Sequence, residues 1–181
     1  VESGAADVET PTMGWSSWNA FRVNISEGTI KHHADLVKEL ELDKCGYVYI
    51  NIDDGYFGGR DENGRLKTHP KRFPNGLKPV VDHIHSLGLK AGIYSSPGPY
   101  TCAGHTGSFG HEAQDAKTFA DWGFDYLKYD WCTYSQKQFG HGVWKTMPPY
   151  WIMGRALAHQ KRDIVFSLCE YGFETPGLWG N

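Results

Sequence analysis

The strongest constraint on the fold of this 181-residue chain is a pattern that occurs four times: apolar residues at helical spacing, a break, and then a short β-branched or aromatic run. Ser26 is a good N-cap for the first helical stretch, which Gly46 ends, and Gly88 and Gly123 end the second and third. A fourth helix is predicted to follow Pro148 and Pro149 in the chain. Ordered structure is predicted to begin near Met13, and the runs that predict strands are 47–53, 89–95, 124–130 and 164–170.

This alternation predicts an α/β fold with a parallel sheet, because parallel neighbours need a long return connection that a helix supplies. Polar residues stand at the carboxyl ends of several strands: Asp53, Ser95, Asp130 and Glu170. In a closed barrel those ends converge on one face, whereas in an open sheet they spread along a line. The chain also has no glycine-rich phosphate-binding signature after its first strand, so a barrel is favoured over a nucleotide-binding open sheet.

The composition excludes several functions. A formal net charge of −3 with mixed signs gives no surface for nucleic acid, and no apolar run approaches the roughly 20 residues that cross a bilayer. The four cysteines lack the CxxC spacing of a zinc site, so thiolate-bound metal and other cofactors are not predicted. The first ten residues are small, polar and acidic, which predicts a flexible lead-in over 1–10.

Two sets of charged residues stand out at the strand ends. Lys128 and Asp130 share one face of the run 124–130, where they form either a structural ion pair or a site in which the cation keeps the acid ionised. Asp53 and Asp54 could bind vicinal sugar hydroxyls, or they could coordinate a magnesium or calcium ion together with Asp130. A lysine directed at the same place competes with a cation, so the sugar alternative is preferred and no metal is predicted.

Five motifs in this chain resemble the α-galactosidase and α-N-acetylgalactosaminidase family of retaining enzymes, glycoside hydrolase family 27. The resemblance covers nearly the whole chain. It is carried in this order by TPTMGWSSWNAF, GYVYINIDDGY, FPNGLKPVVDHIHSLGLKAGIYS, TCAGHTGSFGHEAQDAKTFADWGFDYLKYDWC and CEYG. It implies the N-terminal portion, about five β/α units, of a (β/α)8 TIM barrel over residues 11–181, truncated after the fifth strand.

The resemblance also assigns roles. Asp130 of LKYDWC stands at the catalytic nucleophile, and the residues that match sugar-binding positions are Trp18, Asp53, Asp54, Tyr94, Lys128 and Glu170. Cys102 and Cys132 match a family disulfide. The bulky Glu170, with Phe173 three residues on, implies galactose or L-arabinopyranose rather than N-acetylgalactosamine, which needs a small residue at that position.

The chain departs from the family at two points. Gly55 replaces a cysteine that many relatives carry, so Cys45 is expected to be a free, buried thiol, and Cys169 is expected either to be free or to pair beyond Asn181. The family's general acid follows the sixth strand, so it is expected beyond the chain's end.

The function predicted from the sequence is removal of terminal α-linked galactose from a carbohydrate, in a secreted or periplasmic protein, by an enzyme of which this piece alone is inactive. The missing C-terminal part of the barrel is a possible partner. The alternatives are a non-catalytic galactose-binding half-barrel and, within the family, a β-L-arabinopyranosidase or α-N-acetylgalactosaminidase.

Overall fold

The computed structural model describes residues 10–134 and 142–180. The lead-in predicted over 1–10 therefore lies, except for Thr10, outside the described residues. The strands are β1 (Gly14–Ser16), β2 (Tyr49–Ile52), β3 (Phe57–Arg60), β4 (Leu66–Thr68), β5 (Lys90–Ser95), β6 (Tyr126–Asp130) and β7 (Val165–Cys169). The helices are α1 (Trp18–Phe21), α2 (Glu27–Glu39), α3 (Lys78–Ser86), α4 (Glu112–Trp122) and α5 (Val143–Ala158), with 3₁₀ turns at Leu42–Cys45 and Pro176–Leu178.

Five strands form a sheet in the order β1-β2-β5-β6-β7, and every neighbouring pair is parallel. The register places Ser16 beside Asn51, Ile52 beside Ile93, and Asp130 beside Cys169. The carboxyl ends of the five strands therefore lie along the same edge. This confirms the parallel sheet predicted from the alternation of helices and strands.

The apolar core lies between the sheet and helices α2 to α5. Ile50 and Ile52 of β2 are fully buried, and they alternate with the more polar Asn51 as the two-residue strand repeat requires. The helices contribute apolar residues at three- and four-residue spacing, such as Ile30, Ala34 and Val37 of α2. Each buried Ile or Leu side chain contributes about 1.5–3 kcal/mol, so this layer holds the strands in place.

Local signals define most helix ends as predicted. The Ser26 hydroxyl accepts a hydrogen bond from Thr29 N at the start of α2, 3.2 Å away. Gly123 follows α4 with φ of +92°, a left-handed conformation that glycine adopts without steric cost. Within the described residues, no helix is both long enough and apolar enough to span a membrane.

Three predictions about this part of the fold were wrong. The first helix, α2, ends at Glu39, and Gly46 instead follows the separate 3₁₀ turn Leu42–Cys45. α5 begins at Val143 and contains Pro148 and Pro149, although the prolines were expected to precede it. Each proline removes one backbone donor, but Pro149 and the neighbouring Tyr150 are buried, and this packing offsets the loss. Cys45 is free as expected but exposed, because the chain enters the sheet only at Tyr49 and the 3₁₀ turn before it faces solvent.

Candidate active site

The acidic residues predicted at the strand ends are buried where their strands end. Asp53 and Asp54 follow β2 and are 3% and 1% exposed, Asp130 ends β6 at 8%, and Glu170 follows β7 at 3%. A buried carboxylate is costly unless it is paired, hydrogen-bonded or engaged by a ligand. The partners of each carboxylate therefore indicate what this edge of the sheet can do.

Lys128 is paired with Asp53, not with Asp130 on its own strand. Its Nζ lies 2.9 Å from Asp53 Oδ2 and 5.2 Å from the centre of the Tyr94 ring, a cation–π contact. Burial is the largest single influence and lowers the pKa of Lys128, but the charge and hydrogen bond of Asp53, together with the charge of Asp130, outweigh it, so the net pKa is raised. The side chain is therefore an ammonium ion at neutral pH.

Asp54 is held by the loop that follows β5. Its Oδ2 accepts a hydrogen bond from Ala103 N at 3.2 Å, and its Oδ1 lies 2.7 Å from Nδ1 of His105. The backbone around the two acids is also ordered, since Asp53 N donates to the Ser17 hydroxyl and Asp54 N to Asp53 Oδ1. Gly55, directly after the two acids, has φ of +118°, a backbone conformation that glycine adopts without steric cost.

Asp130 is surrounded by neutral donors. The Tyr171 hydroxyl donates to Oδ1 at 2.8 Å, and the Tyr94 hydroxyl approaches Oδ2 at 3.4 Å. Burial raises the pKa of both tyrosines, and the neighbouring Asp130 carboxylate raises it further, so both remain protonated donors. Among residues 10–134 and 142–180, no lysine, arginine or histidine forms a salt bridge with Asp130.

The expected disulfide is present beside Asp130. Cys102, in the loop after β5, is bonded to Cys132, just after β6, with 5.1 Å between the Cα atoms. The sulfur of Cys102 lies 3.9 Å from Asp130 Oδ2, and the sulfur of Cys132 lies 3.6 Å from the Tyr94 hydroxyl oxygen. The bond therefore ties the loop that holds Asp54 to the segment that follows Asp130.

A cation shared by Asp53, Asp54 and Asp130 was the alternative left open by the sequence. In the described part of the chain, one group of three potential ligands has donor atoms within 4.8 Å of one another: Cys102, Asp130 and Cys132. Its two sulfurs are bonded to each other and cannot act as thiolates. The three aspartates do not form such a group.

Within the described residues, no hydrogen bond or ion pair joins the side chain of Trp18 or Glu170 to Asp53, Asp54 or Asp130. Trp18 begins α1 directly after Ser17, is half-buried, and lies under the Arg22 guanidinium at 5.3 Å. Glu170 Oε1 accepts a hydrogen bond from Gly172 N at 3.0 Å, while the buried Oε2 has no partner within residues 10–134 and 142–180. A buried carboxylate oxygen without a partner is a suitable acceptor for a ligand hydroxyl.

Comparison with known proteins identifies the family of the chain. A family model described as "Alpha galactosidase A" matches residues 10–176. The chain belongs to the α-galactosidase A family. It is 46% identical over 171 residues to a probable α-galactosidase of Dictyostelium discoideum and 44% identical over 171 residues to α-galactosidase A of Cellvibrio japonicus. These matches cover 94% of this chain but only 43% and 41% of those proteins.

The structural comparison identifies the same family. The α-galactosidase of Saccharomyces cerevisiae, also solved with raffinose, superposes with a TM-score of 0.90 at 42% identity, over 94% of this chain and 37% of that chain. The five-stranded sheet thus corresponds to the N-terminal part of the family's (β/α)8 barrel. The sequence prediction of family and fold is confirmed, and the chain spans about two-fifths of the length of the curated relatives it matches.

Three features of this α-galactosidase-family site were not predicted. His105 and Tyr171 contact the acids Asp54 and Asp130, but both belong to irregular loops, where no periodicity indicates which way a side chain faces. The β3–β4 hairpin was also missed, although the Asn63-Gly64 pair in its turn is a recognised hairpin signal.

Proposed function

We propose that this chain carries the nucleophile and the galactose-binding residues of an α-galactosidase, a retaining glycoside hydrolase. The observation that carries the proposal is the environment of Asp130: a buried carboxylate at a strand end, hydrogen-bonded by Tyr171 and flanked by the Lys128–Asp53 pair. A buried carboxylate that accepts hydrogen bonds from neutral donors, and that forms no salt bridge with another described residue, can serve as a nucleophile.

In the first step of the proposed reaction, an oxygen of Asp130 attacks the anomeric carbon of the galactose unit. The bond from that carbon to the leaving oxygen breaks, and the leaving oxygen takes a proton from a general acid. The product is a covalent galactosyl ester of Asp130 and a free alcohol. In the second step, water attacks the same carbon, the general acid's conjugate base takes the water proton, and Asp130 leaves as a carboxylate.

The proposed reaction needs a second carboxyl group roughly 5–5.5 Å from the nucleophile. We assign Asp53, Asp54 and Glu170 to sugar binding, because Asp53 is engaged by Lys128, Asp54 is held by His105, and Glu170 Oε2 is an unpartnered acceptor. The general acid is accordingly proposed to lie in the part of the barrel that the longer relatives contain and this chain does not. On this proposal residues 11–181 are a partial catalytic barrel that is inactive by itself.

The remaining site residues receive binding roles in this proposal. Lys128 donates hydrogen bonds to sugar hydroxyls, and Asp53 accepts hydrogen bonds from them. Trp18 and Tyr94 supply aromatic surface for the apolar face of the sugar ring. Glu170 contacts the 2-hydroxyl of galactose, and the volume of its side chain disfavours the acetamido group of N-acetylgalactosamine. The Cys102–Cys132 disulfide supports a secreted or periplasmic location, since such bonds persist in oxidising compartments.

The test uses the full-length protein that carries this chain, assayed with p-nitrophenyl α-D-galactopyranoside. Asp130→Asn should lower kcat by roughly 10³-fold or more while galactose binding persists, because the amide keeps the shape but is a poor nucleophile. Asp121→Asn is the matched control, since Asp121 pairs with Lys117 on the exposed face of α4. Galactose binding without turnover in the unmodified protein would instead identify a non-catalytic sugar-binding barrel.

A further inference from the structure

The side chain of Asp54 depends on one loop for its orientation. The segment 101–111 supplies Ala103 N to Oδ2 and His105 Nδ1 to Oδ1. A carboxylate only accepts hydrogen bonds, so Nδ1 carries the hydrogen in this contact. Each oxygen keeps a second lone pair, and the pair of contacts sets the direction in which those lone pairs point.

Asp54 differs in this respect from Asp53. Lys128 provides Asp53 with a cation, whereas the ion pairs among residues 10–134 and 142–180 give Asp54 no lysine or arginine partner. The carboxylate of Asp54 is 1% exposed, so solvent does not replace the missing partner. The imidazole of His105 is thus its principal side-chain donor.

His105 itself is held rigidly. Its backbone N donates to the Thr101 hydroxyl at 3.0 Å, and its carbonyl accepts from Thr101 N at 2.8 Å. Its ring is nearly parallel to the Phe57 ring, at 19° with 5.9 Å between centroids. Its side chain is only 26% exposed, so few other rotamers are open to it.

The loop that carries His105 is anchored from outside by Arg60 of β3. The two terminal nitrogens of Arg60 each lie 2.7 Å from an oxygen of Asp115, the fully buried acid of α4. One of them also donates to the Gly107 carbonyl at 2.8 Å. A bidentate arginine pair fixes both distance and direction, so Arg60 links the hairpin, the loop and the helix.

We propose that His105 is a positioning residue for substrate recognition: its Nδ1–H orients the Asp54 carboxylate toward the galactose hydroxyls. The inference rests on the proposed function, because the orientation of Asp54 matters only if Asp54 binds the sugar. Since His105 acts on a binding group that contacts substrate before and during the reaction, its loss weakens ground-state and transition-state binding alike.

The test compares His105→Phe and His105→Asn in the full-length protein with p-nitrophenyl α-D-galactopyranoside. Phenylalanine keeps a ring beside Phe57 but removes the donor, so KM should rise at least about fivefold while kcat changes less than about twofold. The asparagine amide places an N–H near the position of Nδ1, so the KM of His105→Asn should lie close to that of the unmodified protein. The control is His111→Phe, at the end of the same loop, where the ring contacts Gln114 instead.

A double-mutant cycle separates positioning from general loop damage. If His105 acts through Asp54, then His105→Phe should add little to the KM of Asp54→Asn, because the oriented group is already changed. Additive effects of the two substitutions on KM would overturn this inference. So would an unchanged KM in His105→Phe when the unmodified protein is active. Either result leaves the proposed function intact. Absence of both turnover and galactose binding in the unmodified protein would overturn both.

Discussion

The ammonium of Lys128 on β6 reaches across β5 to the carboxylate of Asp53, which follows β2, with 2.9 Å between Nζ and Oδ2. Tyr94 of the intervening strand lies beneath the ammonium, 5.2 Å from ring centre to Nζ. Three strands of the sheet are thereby joined at their carboxyl ends. The carboxylates that the sequence places far apart, at positions 53 and 130, belong to one cluster.

Replacing Lys128 with methionine should leave Asp53 buried without its cation. We expect the free energy of unfolding of the full-length protein to fall by about 1–3 kcal/mol, the usual cost of an unsatisfied buried group. Lys117→Met is the control, because Lys117 and Asp121 form an exposed pair on α4 that contributes at most about 1 kcal/mol. Denaturant titration measures both variants, and equal losses would contradict the role assigned to the Lys128–Asp53 contact.

The same contact predicts a pH dependence. The folded-state pKa of Lys128 is raised above 10.5, so its contribution to stability is fully present below pH 10.5 and is lost as the pH rises through the folded-state pKa. The stability difference between unmodified protein and Lys128→Met should therefore be constant from pH 6 to 9 and narrow above about pH 10.5. A difference that narrows toward neutral pH would show that the lysine is not stabilised as a cation.

Cys169 should react slowly with alkylating agents. Burial and the neighbouring Asp130 raise the pKa of its thiol to about 11 from 9.0, so at pH 8 only on the order of 0.1% is thiolate. Cys45 is also free but exposed, and provides an internal control. Iodoacetamide labelling followed by peptide mass spectrometry should show Cys45 modified first, with Cys169 gaining reactivity only as the pH approaches 11; comparable rates at pH 8 would contradict the assigned environment.

Removing the Cys102–Cys132 disulfide should destabilise the protein. The bond closes a loop with a sequence separation of 30, for which the loss of chain entropy in the unfolded state corresponds to about 3–4 kcal/mol. The double variant Cys102→Ala, Cys132→Ala should show this loss in denaturant titration, together with a lower kcat because the segment next to Asp130 is released. Unchanged stability and unchanged kcat would show that the remaining contacts hold both loops.

Tyr171→Phe should separate catalysis from stability. The hydroxyl of Tyr171 lies 2.8 Å from Asp130 Oδ1, yet the residue is 60% exposed. Loss of this hydrogen bond should lower kcat roughly three- to tenfold, about 0.6–1.4 kcal/mol, with little change in the melting temperature. Steady-state kinetics with thermal unfolding tests this, and a large stability loss with normal kcat would assign Tyr171 a structural role.

Local patterns accounted for the helices and strands that carry the site. The two-residue repeat of β6 predicts that Asp130 stands at a strand end. Gly123 ends α4 because it adopts a left-handed backbone conformation. These features depend on residues close together in the chain. The extent of α5 was not predictable in this way, because burial of Pro149 in the folded protein outweighs the local cost of proline.

The sequence alone determined the parallel α/β architecture, the identity of the buried acids and, through the resemblance of its motifs, the family and the disulfide. Only the tertiary structure decided that Lys128 pairs with Asp53, that His105 holds Asp54, and that Tyr171 reaches Asp130. Periodicity reports which face of an element a residue occupies. Which side chains contact each other depends on how strands 34 to 41 residues apart are brought side by side, and on how the loops between them pack.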